Sequence, residues 1–193
     1  YQPPGQKSFI QASVYQLDQE NVLTTNPVDT TFSTQSGALR SRGVELEAKA
    51  VLSDAWDVVA SAARNDVKYT KDNDGRQGRH PAGISPLTAS MWVNYTVLGD
   101  TPLAGLGAGL GVRYARQSLG DDYEGAFNVP SYSVYDASLS YDLGASPLKL
   151  KGVKLAMNVQ NLSNKTYVSQ CTSDLDCYYG EGRTVVSSLT YDW

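Results

Sequence analysis

Two cysteines give the chain one explicit piece of covalent chemistry. Cys171 and Cys177 stand in C-T-S-D-L-D-C, with five residues between them, in a polar stretch. The spacing is not C-x-x-C, and no His is near enough to complete a zinc site. A disulfide formed in an oxidising compartment is the expectation. Closing so short a loop contributes roughly 2 kcal/mol in the chain-entropy model, stiffening the loop more than the fold. Other chemistry-bearing groups are scattered. Asp72-Asn73-Asp74-Gly75 has the opening of a calcium loop but lacks the bidentate Glu further on, so a solvated loop is expected. His80 is the single histidine, beside Pro81 in a long polar stretch with no Ser or Cys partner in a recognisable motif. Triad chemistry is not expected of it. Glu45, Glu47, Asp136 and Asp142 sit at alternating positions of strand-like segments. Acid–base catalysis by a carboxylate pair would need a cleft that the sequence does not display. Thirteen Tyr against three Phe is a tilt toward rings with a polar tip, suited to interfaces and binding loops.

The composition narrows the classes. A chain of 193 residues with net charge −4 has no general nucleic-acid footprint. Mean hydropathy is −0.35. No apolar run approaches the roughly 18 residues of a membrane-spanning helix. That does not exclude a membrane, because barrel strands alternate and escape a window average. The chain opens Y-Q-P-P-G without Met. Either a leader has been removed, or this is the tail of a longer chain.

Period-two patterning predicts eight strands and no helix. They cover about 9–17, 39–52, 56–69, 87–97, 106–115, 131–143, 153–161 and 183–193. The second is the cleanest. Val44, Leu46, Ala48 and Ala50 alternate with Glu45, Glu47, Lys49 and Val51. In the fifth, Gly107, Gly109 and Gly111 alternate with Leu106, Ala108, Leu110 and Val112. This is not a dinucleotide fingerprint. It is a strand with one face stripped of side chains, so that something can approach closely. Eight strands in 193 residues leave about 24 residues per strand and connection, beyond the 8–12-residue spacing of a soluble sandwich.

The connections alternate in character. Residues 53–55, 99–104 and 144–152 read as short turns. Residues 21–38, 66–85, 116–130 and 163–182 read as long polar loops. Short turns on one side and long loops on the other is the asymmetry of an outer-membrane barrel. If the C-terminus is periplasmic, all four long loops fall outside the cell. The last strand, R-T-V-V-S-S-L-T-Y-D-W, puts Val185, Ser187, Leu189, Tyr191 and Trp193 on one face. Alone it fits either a half-buried strand of a soluble sandwich or a barrel strand facing lipid. Its terminal aromatic resembles the signal by which the barrel assembly machinery takes up outer-membrane barrels.

In order and spacing, several motifs resemble the C-terminal end of TonB-dependent siderophore receptors, in the ferrichrome and ferrioxamine (hydroxamate) branch. They are Arg42-Gly43-Val44-Glu45-Leu46-Glu47; Pro86 with Ala89, Trp92 and Tyr95; Tyr132-Ser133-Val134-Tyr135-Asp136 with Tyr141-Asp142-Leu143; and Asn161-Leu162 followed by Tyr167. Cys171, Cys177 and the following Tyr178-Tyr179-Gly180-Glu181 resemble that branch's bridged last loop. The resemblance implies an all-β, transmembrane antiparallel β-barrel of about 22 strands with a plugged lumen. Residues 1–193 would supply its last eight strands. The plug, the energy-coupling segment and the earlier strands would lie outside this chain.

The resemblance also implies a ligand. A ferric hydroxamate siderophore fills the iron's coordination sphere, so no cofactor and no protein metal ligand are expected. The protein must offer a concave aromatic wall and a few hydrogen bonds. In the ferrichrome type an aromatic follows the first cysteine; here that place is Thr172. The ligand-touching role is therefore assigned to Tyr178, with Tyr179 second, and a ferrioxamine-like ligand is favoured over ferrichrome. Tyr123, in D-D-Y-E-G, is expected to be an ordinary loop residue. The implied partners are the siderophore, the TonB complex, outer-membrane lipid and the assembly machinery at the Trp193 strand. Three other readings compete: a stand-alone eight-stranded barrel serving as anchor or adhesion module, an outer-membrane hydrolase, and a soluble carbohydrate-binding sandwich.

Overall fold

Twelve strands form among the described residues, the long ones on alternation of apolar and polar side chains. They are β1 (Phe9–Thr25), β2 (Ser33–Val51), β3 (Trp56–Lys71), β4 (Leu87–Thr96), β5 (Leu106–Ala115), β6 (Ser118–Leu119), β7 (Asn128–Val129), β8 (Tyr132–Asp142), β9 (Val153–Gln160), β10 (Val168–Ser173), β11 (Asp176–Tyr179) and β12 (Thr184–Tyr191). The computed structural model describes residues 1–2 and 7–193. Pro3, Pro4 and Gly5 of the opening stretch lie outside them. Eight strands make one antiparallel meander in the order β1-β2-β3-β4-β5-β8-β9-β12. The pairs β6–β7 and β10–β11 are separate hairpins. No helix among the described residues is long and apolar enough to cross a membrane, which says nothing of crossing by strands.

The register sorts side chains into two faces. Ala60, Met91, Val112 and Tyr135 lie in one cross-strand row, and Leu139, Met157 and Ser187 in another. On the opposite face, Glu47, Ser61, Ser90 and Arg113 line up. The apolar face is bare. Val14 is 82% exposed, Leu110 64% and Leu189 69%. No second layer covers it, as a soluble sandwich would require. At roughly 25 cal/mol per Å², a water-facing surface of this kind is heavily penalised; hydrocarbon removes the penalty. Trp56 and Tyr95 stack on this face at the short-turn end, with ring centroids 4.6 Å apart. Tyr141 and Tyr191 stand on the same face near the same end, as an interfacial aromatic row does.

The glycine strip of β5 faces the other way. Trp92 of β4 lies flat on Gly111, where a Cβ would collide with its ring. Its Nε1–H donates to Asn94 Oδ1 at 2.5 Å. What approaches β5 closely is therefore its own neighbour's indole. The three most deeply buried side chains, Val134, Asn161 and Cys171, all lie at or beyond the long-loop ends of their strands. Ala104, Leu143 and Ser146 are buried at the short-turn end, so packing lies toward both ends of the strands rather than in a central core.

Two expectations are corrected. Residues 21–38 are not one long loop: β1 runs on to Thr25 and β2 begins at Ser33. Register shifts between Glu20 and Val22 and between Val22 and Thr24, with Asn21 at φ 60°, break the alternation that would have shown it. At 17 and 19 residues these strands exceed the 9–11 needed to cross. The excess stands about 20 Å above the band. The last two long loops are likewise not irregular throughout, since they carry the β6–β7 and β10–β11 hairpins. Finally, β1 and β12 are the two edges of the sheet and do not pair with each other among the described residues. A stand-alone eight-stranded barrel would require that pairing.

Candidate binding site at the long-loop end

The polar face becomes a site where three connections meet. The first is 72–86, between β3 and β4. Arg76 holds it, with Nη2 at 2.8 Å from Asp72 Oδ1 and 3.0 Å from Asp74 Oδ2. Its Nη1 reaches Asp122 Oδ2, in the connection between β6 and β7, at 3.2 Å. The guanidinium also lies over the Tyr69 ring, 4.6 Å from its centroid. Tyr69 donates to Asp122 Oδ2 at 2.8 Å, and the Ala82 N–H donates to Asp122 Oδ1. Thr24, at the top of β1, donates to Asp72 and Asp74 at 3.1 Å. The Asp72 side chain is 1% exposed. Burial pushes its carboxyl up, but hydrogen bonds from the Arg76 side chain and backbone and from the Asp74 N–H outweigh this and hold it at about 2. Side-chain bonding to Asp72 raises the Arg76 pKa in turn. The D-N-D-G stretch is thus organised by an arginine rather than left as a solvated loop.

The second part is the turn after β9. Asn161 sits at φ 49°, a left-handed conformation that asparagine tolerates better than most residues. Its side chain is fully engaged. Nδ2 donates to the carbonyls of Lys165 (2.8 Å) and Glu181 (3.0 Å), and Oδ1 accepts from the Lys165 N–H (2.8 Å). Its own backbone N–H donates to Asp136 Oδ1 at 2.9 Å. Asp136 also receives Arg113, at 2.6 and 2.9 Å, in a two-pronged pair. One asparagine therefore ties both ends of the last connection to β8.

The third part is the β10–β11 hairpin. Cys171 and Cys177 are disulfide-bonded and directly opposed in it. The hairpin leans on the other loops. Gly83 packs on the Cys171 carbonyl, and its φ of 73° suits only glycine there. The Asp174 N–H donates to Asp121 Oδ2 at 3.2 Å. Replacing both cysteines with serine is expected to cost the hairpin about 2 kcal/mol while the eight-stranded sheet still forms. Faster amide exchange confined to 168–179, with unchanged exchange in β4 and β5, would show this.

Between the hairpin and the inner wall lies a recess of about 230 Å³, lined by Arg113, Gln160, Asn161, Tyr167, Ser169, Tyr179 and Glu181 with its flanking glycines. Tyr179, 73% exposed, faces this recess. Tyr178 is its strand neighbour, so its side chain leaves the other face. Its hydroxyl donates to Asp176 Oδ2 at 3.2 Å, and that bond raises its pKa. Tyr167 lies on Gly180, and its ring stacks with Tyr132 at 4.4 Å between centroids.

The remaining expected residues fall elsewhere. Tyr123 is half-exposed in the connection between β6 and β7, away from this recess. The His80 ring sits 2.8 Å from the Val67 carbonyl and 3.6 Å from Asp66. Glu45 and Glu47 line a wider inner-face concavity of about 480 Å³ together with Arg113 and Tyr132. Asp142 caps the short turn, accepting from the Gly144 N–H at 2.9 Å. Sequence reasoning missed Arg76, Arg113 and Tyr167. The available signals were Tyr167 in its motif and Arg113 at an otherwise glycine-lined inner position of its strand.

Known proteins resemble this chain in sequence and in fold. Residues 1–162 match the family described as TonB dependent receptor-like, beta-barrel. The ferrichrome outer membrane transporter/phage receptor of Escherichia coli (strain K12) is 38% identical over 191 residues, which cover 99% of this chain and 25% of that protein. The ferrioxamine receptor of Yersinia enterocolitica is 36% identical, over 100% of this chain and 26% of that protein. The crystal structure of the siderophore receptor PiuA from Acinetobacter baumannii superposes with a TM-score of 0.72 at 25% identity, covering 95% of this chain and 26% of that one. The chain thus spans about a quarter of the length of these relatives. With its open meander, bare apolar face and stacked loop end, the chain belongs to the TonB-dependent receptor β-barrel family.

Proposed function

We propose that this chain forms the last eight strands of a larger plugged barrel, about 22-stranded, in the bacterial outer membrane. There it takes part in binding a ferric hydroxamate siderophore and importing it with TonB-supplied energy. The observation that carries this is the aromatic recess on the inner face at the long-loop end, beside a lipid-suited outer face. The long-loop end faces outward and the C-terminal end faces the periplasm. The siderophore keeps the iron, and the protein supplies rings and donors. TonB acts through segments outside this chain, and the Trp193 strand is presented to the assembly machinery. A ferrioxamine-like ligand is favoured, with ferrichrome next. No hydrolase role is proposed, because the His80 ring is held at the Val67 backbone and Asp66.

Geometry supports Tyr179 ahead of Tyr178 as the ligand-touching ring. In a fluorescence titration of the detergent-extracted receptor with ferric ferrioxamine B, Tyr179→Ala is expected to weaken binding about tenfold. Tyr178→Ala is expected to stay within about threefold. The opposite ranking would return the role to Tyr178, and no effect from either would remove the hairpin from the site.

A further inference from the structure

The recess beneath the disulfide hairpin offers hydrogen-bond donors beside two carboxylates, Asp136 paired with Arg113 and Glu181 in the lining. Arg113 projects from β5 two residues before its long-loop end, and its side chain is half-exposed. Nε and Nη2 are committed to Asp136. A guanidinium carries five N–H donors, so three remain. Asp136 is itself fixed by the Asn161 N–H, so the guanidinium is held in orientation before any ligand arrives. Tyr179 brings a hydroxyl that makes no hydrogen bond among the described residues. The ring of Tyr167, stacked on Tyr132, supplies a wall. At about 230 Å³ the recess is smaller than the roughly 300–1,000 Å³ of a whole ligand site. It fits one arm of a ligand.

We propose that this recess is a subsite for a neutral oxygen acceptor, an amide carbonyl or hydroxamate oxygen, gripped by the free N–H groups of Arg113 and the Tyr179 hydroxyl. The inference rests on the siderophore-receptor reading and deepens it. The charge on Asp136 decides the class. A carboxylate entering beside Arg113 would lie against a carboxylate already paired with it, and like charges disfavour that arrangement. A carbonyl oxygen takes the spare donors without that opposition.

The test uses the intact receptor in detergent and ferric ferrioxamine B, followed by fluorescence quenching. Arg113→Lys keeps a cation for Asp136 but deletes the fork, and is expected to weaken binding about tenfold. Tyr179→Phe deletes only an exposed hydroxyl and is expected to weaken it about threefold. Asp136→Asn keeps the acceptor for the Asn161 N–H and frees the charge of Arg113. It should shift preference about tenfold toward an analogue whose terminal arm ends in a carboxylate. Resistance of each folded variant to SDS without heating controls for assembly. Absence of saturable binding by the unmodified receptor would defeat the functional reading itself. Saturable binding with all three variants unchanged in affinity and preference would overturn the subsite and leave that reading intact.

Discussion

Arg76→Ala is expected to open the mouth of the barrel by releasing three carboxylates at once. Asp72, Asp74 and Asp122 share that one guanidinium, and Asp72 has almost no access to water. Removing one partner of a buried ion pair typically costs 3–5 kcal/mol, because the charge left behind is uncompensated. Arg76 is partly exposed, so a local loss on the order of 3 kcal/mol is expected. That raises the open population of 72–86 about a hundredfold and should appear as rapid nicking there by protease added to intact cells. Arg76→Ala combined with Asp72→Asn should recover part of the loss, since the stranded charge is gone. Acid should act on the same cluster. The Asp72 carboxyl is held at about 2, below its ordinary 3.8, so its contribution is complete above about pH 4. It fades as the pH falls toward 2, by on the order of 2 kcal/mol. Protection of the 72–86 amides, taken relative to their intrinsic exchange at each pH, should therefore fall below pH 4 and stay flat between pH 5 and 8.

Asn161→Ala is the second substitution expected to do large damage. It deletes three side-chain hydrogen bonds at a residue 1% exposed and leaves the Lys165 N–H and the Glu181 carbonyl without those partners. Each of the three partly buried bonds lost costs about 1 kcal/mol, the low end of the range for a stranded group. Alanine at φ 49° adds about 1 kcal/mol more. A total near 4 kcal/mol should lower the yield of SDS-resistant barrel and free the bridged hairpin from β8. Asn161→Gly relieves the backbone strain but not the lost bonds, so it should fall between alanine and the unmodified protein. Equal melting of the alanine and glycine variants would show that the left-handed backbone contributes nothing here.

These two residues also show where sequence reasoning stops. Alternation carries the transmembrane strands, because a period of two puts Val44, Leu46 and Ala48 on one face whatever lies beyond them. The carboxylates Glu45, Glu47 and Asp136 take the polar face for the same reason. Long-range pairing is invisible to a periodicity. Nothing in residues 72–76 announces that Arg76 will meet Asp122, a residue with 45 others between them, or that Thr24 will bond Asp72. Asn161 stood out as part of a motif, yet the pattern did not say that it ties Lys165 to Glu181. The tall β1–β2 hairpin escaped because Asn21 breaks the alternation in its middle. The bridged loop read as a long polar loop because the cysteines, aspartates and hydroxyls of 171–177 hide two short strands.

A ferric hydroxamate is expected to seat at the loop end of the inner wall. The most direct measurement is a titration of the detergent-extracted outer-membrane protein carrying this chain with ferric ferrioxamine B, with ferric citrate as the comparison. Saturable binding at sub-micromolar hydroxamate, weakened about tenfold by Tyr179→Ala and absent with ferric citrate, is the result expected. Equal binding of both iron complexes, or none that saturates, would contradict it.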